Sequence, residues 1–140
     1  MRLLLVDDSR AIRLENQRAL EHAGYEVVYA EDGEAALRIA REQTIDLILL
    51  DMMLPRMSGL DVLKELKNDP KTAGIPVVVL SGLSCRNRNR LLESGADEYL
   101  EKNTLMPRPG ENLLPKVLED LICRINRRKG ISFAQVHTSH

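Results

Sequence analysis

Apolar residues along the chain gather into short blocks separated by longer amphipathic stretches. LLLV (3–6), IDLILL (45–50) and IPVVVL (75–80) are apolar almost throughout. That is the pattern of strands covered on both faces, as in a parallel sheet. YEVVYA (25–30) alternates more and is expected nearer an edge, and the shorter DEYLEK (97–102) completes a set of five. Helical patterns fill the gaps. Ser9 is placed to cap a helix running to about Ala23, stopped by Gly24. GEAALRIARE (33–42) is rich in helix formers. Ser58 is placed to cap GLDVLKELK, which ends before the Asp69-Pro70 turn signal. LSCRNRNRLLES runs to Gly95. The last helix spaces Leu114, Val117, Leu118, Leu121, Ile122 and Ile125 as one stripe, with Pro115 in its first turn, where a missing N–H costs little. Strand and helix thus alternate five times. The pattern predicts an α/β domain, (βα)5, with a doubly wound parallel five-stranded sheet and helices on both faces.

The length of 140 residues suits one domain. Tyr25, Tyr29, Tyr99 and Phe133 are the only aromatic residues, so the core must be aliphatic. A net charge of −1 gives no global field to recruit nucleic acid or membrane. Cys85 and Cys123 lack CxxC spacing and clustered histidines, which disfavours zinc and disulfide chemistry. The opening apolar run is too short for a signal peptide or membrane span, so the expected location is cytoplasmic. Residues 130–140 have no strong period.

Candidate chemistry lies at the strand ends. In open α/β sheets, ligands sit beyond the carboxyl ends of the strands, at the switch in strand order. Asp7 and Asp8 follow the first run, Asp51 ends the third, Ser81 the fourth and Lys102 the fifth. Taken singly, each has a plainer reading: a solvated strand end, a loop acid, a turn serine beside Gly82, a solvent lysine. Together they bring three acids, a hydroxyl and an amine to one rim. Clustered carboxylates repel unless a cation intervenes. A hard divalent ion suits oxygen ligands: Mg2+, which often shares its shell with a phosphate, or Mn2+ as the alternative. Asp51 is then a candidate nucleophile, since carboxylates form aspartyl-phosphates, and the metal would neutralise charge building on a transferring phosphoryl group.

With these motifs in order (VDDS, LLDMMLPRMSG, VVLSG and SGADEYLEK), the chain resembles the receiver domain of two-component response regulators, chemotaxis-regulator-like, over roughly residues 1–127. Asp51 and Ser81 are 30 positions apart, Ser81 and Lys102 are 21 apart, and Tyr99 lies three before Lys102. The resemblance implies a flavodoxin-like sheet of strand order 2-1-3-4-5. It implies Asp51 as phosphoacceptor, Asp8 as a direct Mg2+ ligand, Asp7 acting mostly through water, and the main-chain carbonyl of Met53 as a further ligand. Lys102 would pair with the phosphoryl group, Ser81 would move toward it and Tyr99 would change rotamer with it. Pro55 and Gly59 match the shaping of the turn after the acceptor strand. The donor would be a phosphohistidine on a sensor histidine kinase or phosphotransfer protein. The surface formed by the fourth helix, fifth strand and fifth helix would then change and regulate a downstream protein partner, with a homodimer as a further option. No direct contact with nucleic acid or membrane is expected. Nor is any enzymatic activity beyond the chain's own aspartyl phosphorylation and dephosphorylation. Residues 128–140, too few for an output domain, read as a tail or the start of a linker, so the chain is either a stand-alone relay or the receiver part of a longer protein.

Some features depart from the pattern. Asn103 follows Lys102 where the family usually has proline, and NTLMPRPGEN is longer than usual, so the loop carrying Lys102 is either trans and differently shaped or cis. Arg86, Arg88 and Arg90 alternate, which spreads them around a helix as a solvated basic face or a docking site for an acidic partner. Arg124, Arg127, Arg128 and Lys129 add charge on the last helix. Met52, Met53 and Met57 read as packing residues. Among rival functions, a phosphorylation-independent interaction module would use the same surface. A flavodoxin-like cofactor domain lacks a phosphate-cradling loop and aromatic partners for a flavin ring. A phosphatase with an aspartyl intermediate lacks a second acid two residues after Asp51, where Met53 stands. An apolar Met53 also positions attacking water poorly, so a phosphoryl group on Asp51 is expected to be long-lived. Intact mass followed after donor removal measures this, and loss of the label within seconds counts against it.

Overall fold

The computed structural model describes residues 1–52, 54, 57–81, 88–105, 108 and 111–128. Five strands, β1 (Arg2–Val6), β2 (Glu26–Ala30), β3 (Leu47–Asp51), β4 (Val77–Ser81) and β5 (Glu98–Glu101), form one sheet in the order β2-β1-β3-β4-β5. Every pairing is parallel, with Leu3 opposite both Val27 and Leu47, and Asp51 opposite Leu80. Strand direction and fold class agree with the sequence pattern, and strand order with what the resemblance implies. YEVVYA, the run that alternates, is an edge strand.

Side chains alternate across a strand, and the apolar runs use both faces. Leu4, Val6, Ile48, Leu50, Val77 and Val79 pack beneath α2 (Gly33–Glu42), α3 (Gly59–Asn68) and α4 (Arg88–Glu93). Leu3, Leu5, Leu47, Leu49, Val78 and Leu80 pack on the opposite face, which is covered by α1 (Arg10–His22) and α6 (Leu114–Arg128). A short α5 (Lys102–Leu105) follows β5 directly, so the last long helix is the sixth. On α6 the expected stripe is the buried one: Leu114, Leu118, Leu121, Ile122 and Ile125 are covered, and Val117 is partly so. No helix among the described residues is long and apolar enough to cross a membrane.

Helix ends follow local chemistry, with one correction. Ser58 caps α3, its hydroxyl accepting from the Asp61 N–H, and Asp32 caps α2 by accepting from Ala35 N–H. Gly24 and Gly95 end their helices at positive φ, where a Cβ is unfavourable. Ser9 occupies the cap position of α1, but its hydroxyl makes no capping bond. The turn is closed instead by Asp7, whose Oδ1 accepts the Ser9 N–H at 2.9 Å. An Asp side chain readily closes a turn two residues ahead of itself, and here that bond also orients a site carboxylate.

Asp69, just past α3, accepts from the Lys71 N–H at 2.9 Å and from Arg41 Nε of α2 at 2.6 Å. The Lys71 N–H, then the guanidinium, hold its carboxyl below its ordinary 3.8. Folding therefore favours the ionised form. That contribution is present above about pH 4 and is lost as pH falls through the lowered folded value. Asp69→Asn is expected to flatten the acid limb of stability measured by denaturant titration between pH 5 and pH 2, relative to the unsubstituted chain.

Candidate functional site

The switch in strand order falls between β1 and β3, because the chain leaves β1 toward β2 on one side and continues through β3 on the other. Both strands end in acid. Asp51 is the last residue of β3, and Asp7 and Asp8 follow β1. One carboxylate oxygen from each of the three lies within 4.8 Å of the other two. Asp7 and Asp51 are buried, at 0% and 2% exposure, while Asp8 faces outward.

Lys102, the first residue of α5, closes the cluster from just beyond β5. Its Nζ is 2.9 Å from Asp51 Oδ1 and 3.4 Å from Asp7 Oδ2. Asp7 thus has both oxygens engaged, one by the Ser9 N–H and one by Lys102. Asp8 has no side-chain hydrogen bond or ion pair among the described residues, which leaves it the carboxylate best placed to bind a ligand directly. Three carboxylates and one ammonium leave a local formal charge of −2. A hard divalent cation matches both that charge and the all-oxygen donor set.

Ser81 ends β4 beside β3 and is buried. Tyr99, on β5 opposite Val79, is buried at 8% exposure in the cluster beneath α2, α3 and α4. The sequence-predicted Asp7, Asp8, Asp51, Ser81 and Lys102 therefore all stand at the carboxyl edge of the sheet, with Tyr99 inside the adjoining core. Met53 and Pro55 lie outside the described residues, as do Cys85 and Arg86. Cys123 is a free, half-buried thiol. Lys102 itself opens α5, and no peptide bond among the described residues is cis. Of the basic residues on α6, Arg128 donates to Glu98 Oε1 at 3.1 Å and Arg124 lies 3.9 Å from it, so part of this charge is balanced within the domain.

Gly59 holds the end of β3 against α3. Its N–H donates to the Met52 carbonyl at 3.1 Å. A Cβ there would meet the Asp51 carbonyl oxygen and Met52 Cα, each at 2.6 Å. Sequence reasoning passed over Asn16 and Asn112, which are hydrogen-bonded across 96 positions. Nothing in their local motifs signals the pair.

Residues 3–108 match the family described as the response regulator receiver domain. The chain belongs to that family. It is 37% identical over 126 residues to the response regulator MprA of Mycobacterium leprae (strain TN), covering 89% of this chain and 49% of that protein. The chain spans about half, or less, of the length of the curated relatives it matches. The receiver domain of the Francisella response regulator 1452 superposes with a TM-score of 0.75 at 27% identity, over 91% of this chain and 98% of that one. The receiver domain of sensor histidine kinase PA1611 from Pseudomonas aeruginosa PAO1 was solved with a magnesium ion coordinated in its active site cleft. It matches with a TM-score of 0.67 at 29% identity, over 72% of this chain and 84% of that one. The chain is therefore a receiver domain with an acidic pocket of Asp7, Asp8 and Asp51, a signalling module rather than an enzyme acting on a separate substrate.

The close contact at Gly59 can be tested directly. Gly59→Ala forces backbone to shift beneath Asp51, so a stability loss of about 1–3 kcal/mol is expected by denaturant titration. Weaker Mg2+ binding by isothermal titration is expected alongside it.

Proposed function

We propose that this receiver domain takes a phosphoryl group onto Asp51 from a phosphohistidine of a sensor histidine kinase or phosphotransfer protein. The observation that carries the reading is the 2.9 Å contact between Lys102 Nζ and Asp51 Oδ1, within a cluster of three carboxylates. An Asp51 oxygen forms the new O–P bond while the donor's N–P bond breaks, and the leaving imidazole retains the electron pair and takes up a proton. Lys102, released from Asp51 as that oxygen becomes part of an acyl phosphate, donates to a phosphoryl oxygen. Ser81 offers its hydroxyl to another. Asp8 and Asp51 would hold a divalent cation, with Asp7 acting mostly through water and the Met53 carbonyl as a further ligand. The magnesium ion in the PA1611 receiver supports Mg2+ as that ion, and Mn2+ shares the required oxygen preference. When bound, the cation neutralises charge gathering on the transferring phosphoryl oxygens. The domain then catalyses only its own phosphorylation and dephosphorylation.

Phosphorylation adds about −1.5 to −2 charges at neutral pH. Lys102 already stands beside Asp51, Ser81 reaches an added oxygen by moving inward, and Tyr99 follows into the space behind Ser81. The phosphoryl group favours one of two arrangements already accessible to the fold. The surface altered is that of α4, β5 and α6, read by a downstream protein in the cytoplasm. The receiver role belongs to residues 1–127.

Incubation with Mg2+ and acetyl phosphate tests the reading. A single phosphoryl adduct is expected by intact mass, lost with EDTA and absent in Asp51→Asn. Lys102→Ala is expected to slow adduct formation by roughly tenfold or more, as loss of a charge-stabilising contact does. An adduct that persists in Asp51→Asn, or none in the unsubstituted chain, overturns the assignment.

A further inference from the structure

A buried amide on α1 takes no part in the site chemistry described above. Asn16 is 4% exposed, and its Oδ1 accepts a hydrogen bond from Asn112 Nδ2 at 2.9 Å. Asn112 lies in the connection between α5 and α6. Its own Oδ1 accepts the Leu114 N–H at 2.9 Å, at the first residue of α6. The neighbouring Leu113 donates its N–H to the Leu105 carbonyl at 2.7 Å and accepts the Val117 N–H at 3.0 Å. Leu105 is buried in the cluster beneath α1 and α6 and ends α5, whose first residue is Lys102. An unbroken set of contacts therefore runs from α1 through Asn112, Leu113 and Leu105 to Lys102.

Lys102 depends on such support. α5 has four residues, far too few for a helix to hold itself together in water. Asn103, unlike a proline, leaves its own φ free. The same tie also reaches the acids, because α1 begins two residues after Asp8. A buried amide left unpaired is costly, so the Asn16–Asn112 bond selects one placement of the connection over its alternatives. We propose that Asn112, through Asn16 and the Leu113–Leu105 bond, is a positioning residue that holds Lys102 between Asp7 and Asp51. The inference rests on Asp51 being the phosphoacceptor.

The test is a double-mutant cycle on the full chain. The rate of adduct formation from acetyl phosphate at saturating Mg2+ is measured with Asn112→Ala in the unsubstituted and Lys102→Ala backgrounds. Contacts acting through a shared residue are non-additive. Asn112→Ala is therefore expected to slow the reaction at least about threefold alone, and less than about twofold when Lys102 is already gone. An equal slowing in both backgrounds, or no slowing at all, overturns the proposal. Asn16→Ala, which leaves the Leu114 cap in place, repeats the cycle if Asn112→Ala does not fold. If Lys102→Ala reacts too slowly to measure, unfolding midpoints in EDTA decide: non-additive shifts between Asn112→Ala and Lys102→Ala support the tie, and additive shifts remove it. Failure of the unsubstituted chain to form an adduct would instead remove the phosphoacceptor reading itself.

Discussion

Like charges repel most where water is scarce, and the carboxyl edge of this sheet gathers three of them. Two unit charges about 4 Å apart interact by roughly 4 kcal/mol at an effective dielectric near 20. Asp7 and Asp51 are buried, which keeps solvent from relieving that repulsion. Lys102 offsets part of it by bridging both, and the remaining charge and all-oxygen donor set suit a divalent cation. The chemistry of the domain follows from this held repulsion. In the proposed function, a carboxylate confined beside other carboxylates and one ammonium exchanges its ion-pair partner for phosphorus.

Holding the acids together is the task of the sheet beneath them. β1, β3 and β4 are apolar on both faces, so each is clamped between two helical layers. A slip by one residue would draw Asp7 or Asp51 into the apolar interior of the sheet, where a charge is costly, so the acids themselves help to fix the register. The acids extend this rigid lattice by one or two residues. Close backbone packing at Gly59 and the Asp7–Ser9 turn carry the same order into the loops.

Lys102 is held differently. It opens the single-turn α5 just past a short edge strand, so its position is secured from outside the sheet by Leu105 in the core and by the polar tie to α1. On the same edge, Glu98 is bound by Arg124 and Arg128, and Tyr99 is buried between that strand and the α4 layer. The movement proposed for Ser81 thus adjoins an edge of the sheet, where β5 has a single strand partner.

The five apolar runs, their turn signals and the acids at their ends are local patterns, and they were sufficient for the fold class and for placing Asp7, Asp8, Asp51, Ser81 and Lys102 at the carboxyl edge of the sheet. Periodicity makes this legible, because burial on one or both faces of an element is written into neighbouring residues. Other features had no such trace. Ser9 reads as a capping residue, yet Asp7 makes the bond that closes the turn. Asn103 left the loop geometry open, and the chain answers with a helical turn. Asn16 and Asn112 are unremarkable polar residues until the packing of α1 against the start of α6 brings their amides together and buries that of Asn16. Sequence alone determined which residues reach the rim of the sheet. Only the tertiary structure decided how Lys102 is held there, because hydrogen bonds between distant segments depend on where the core places them.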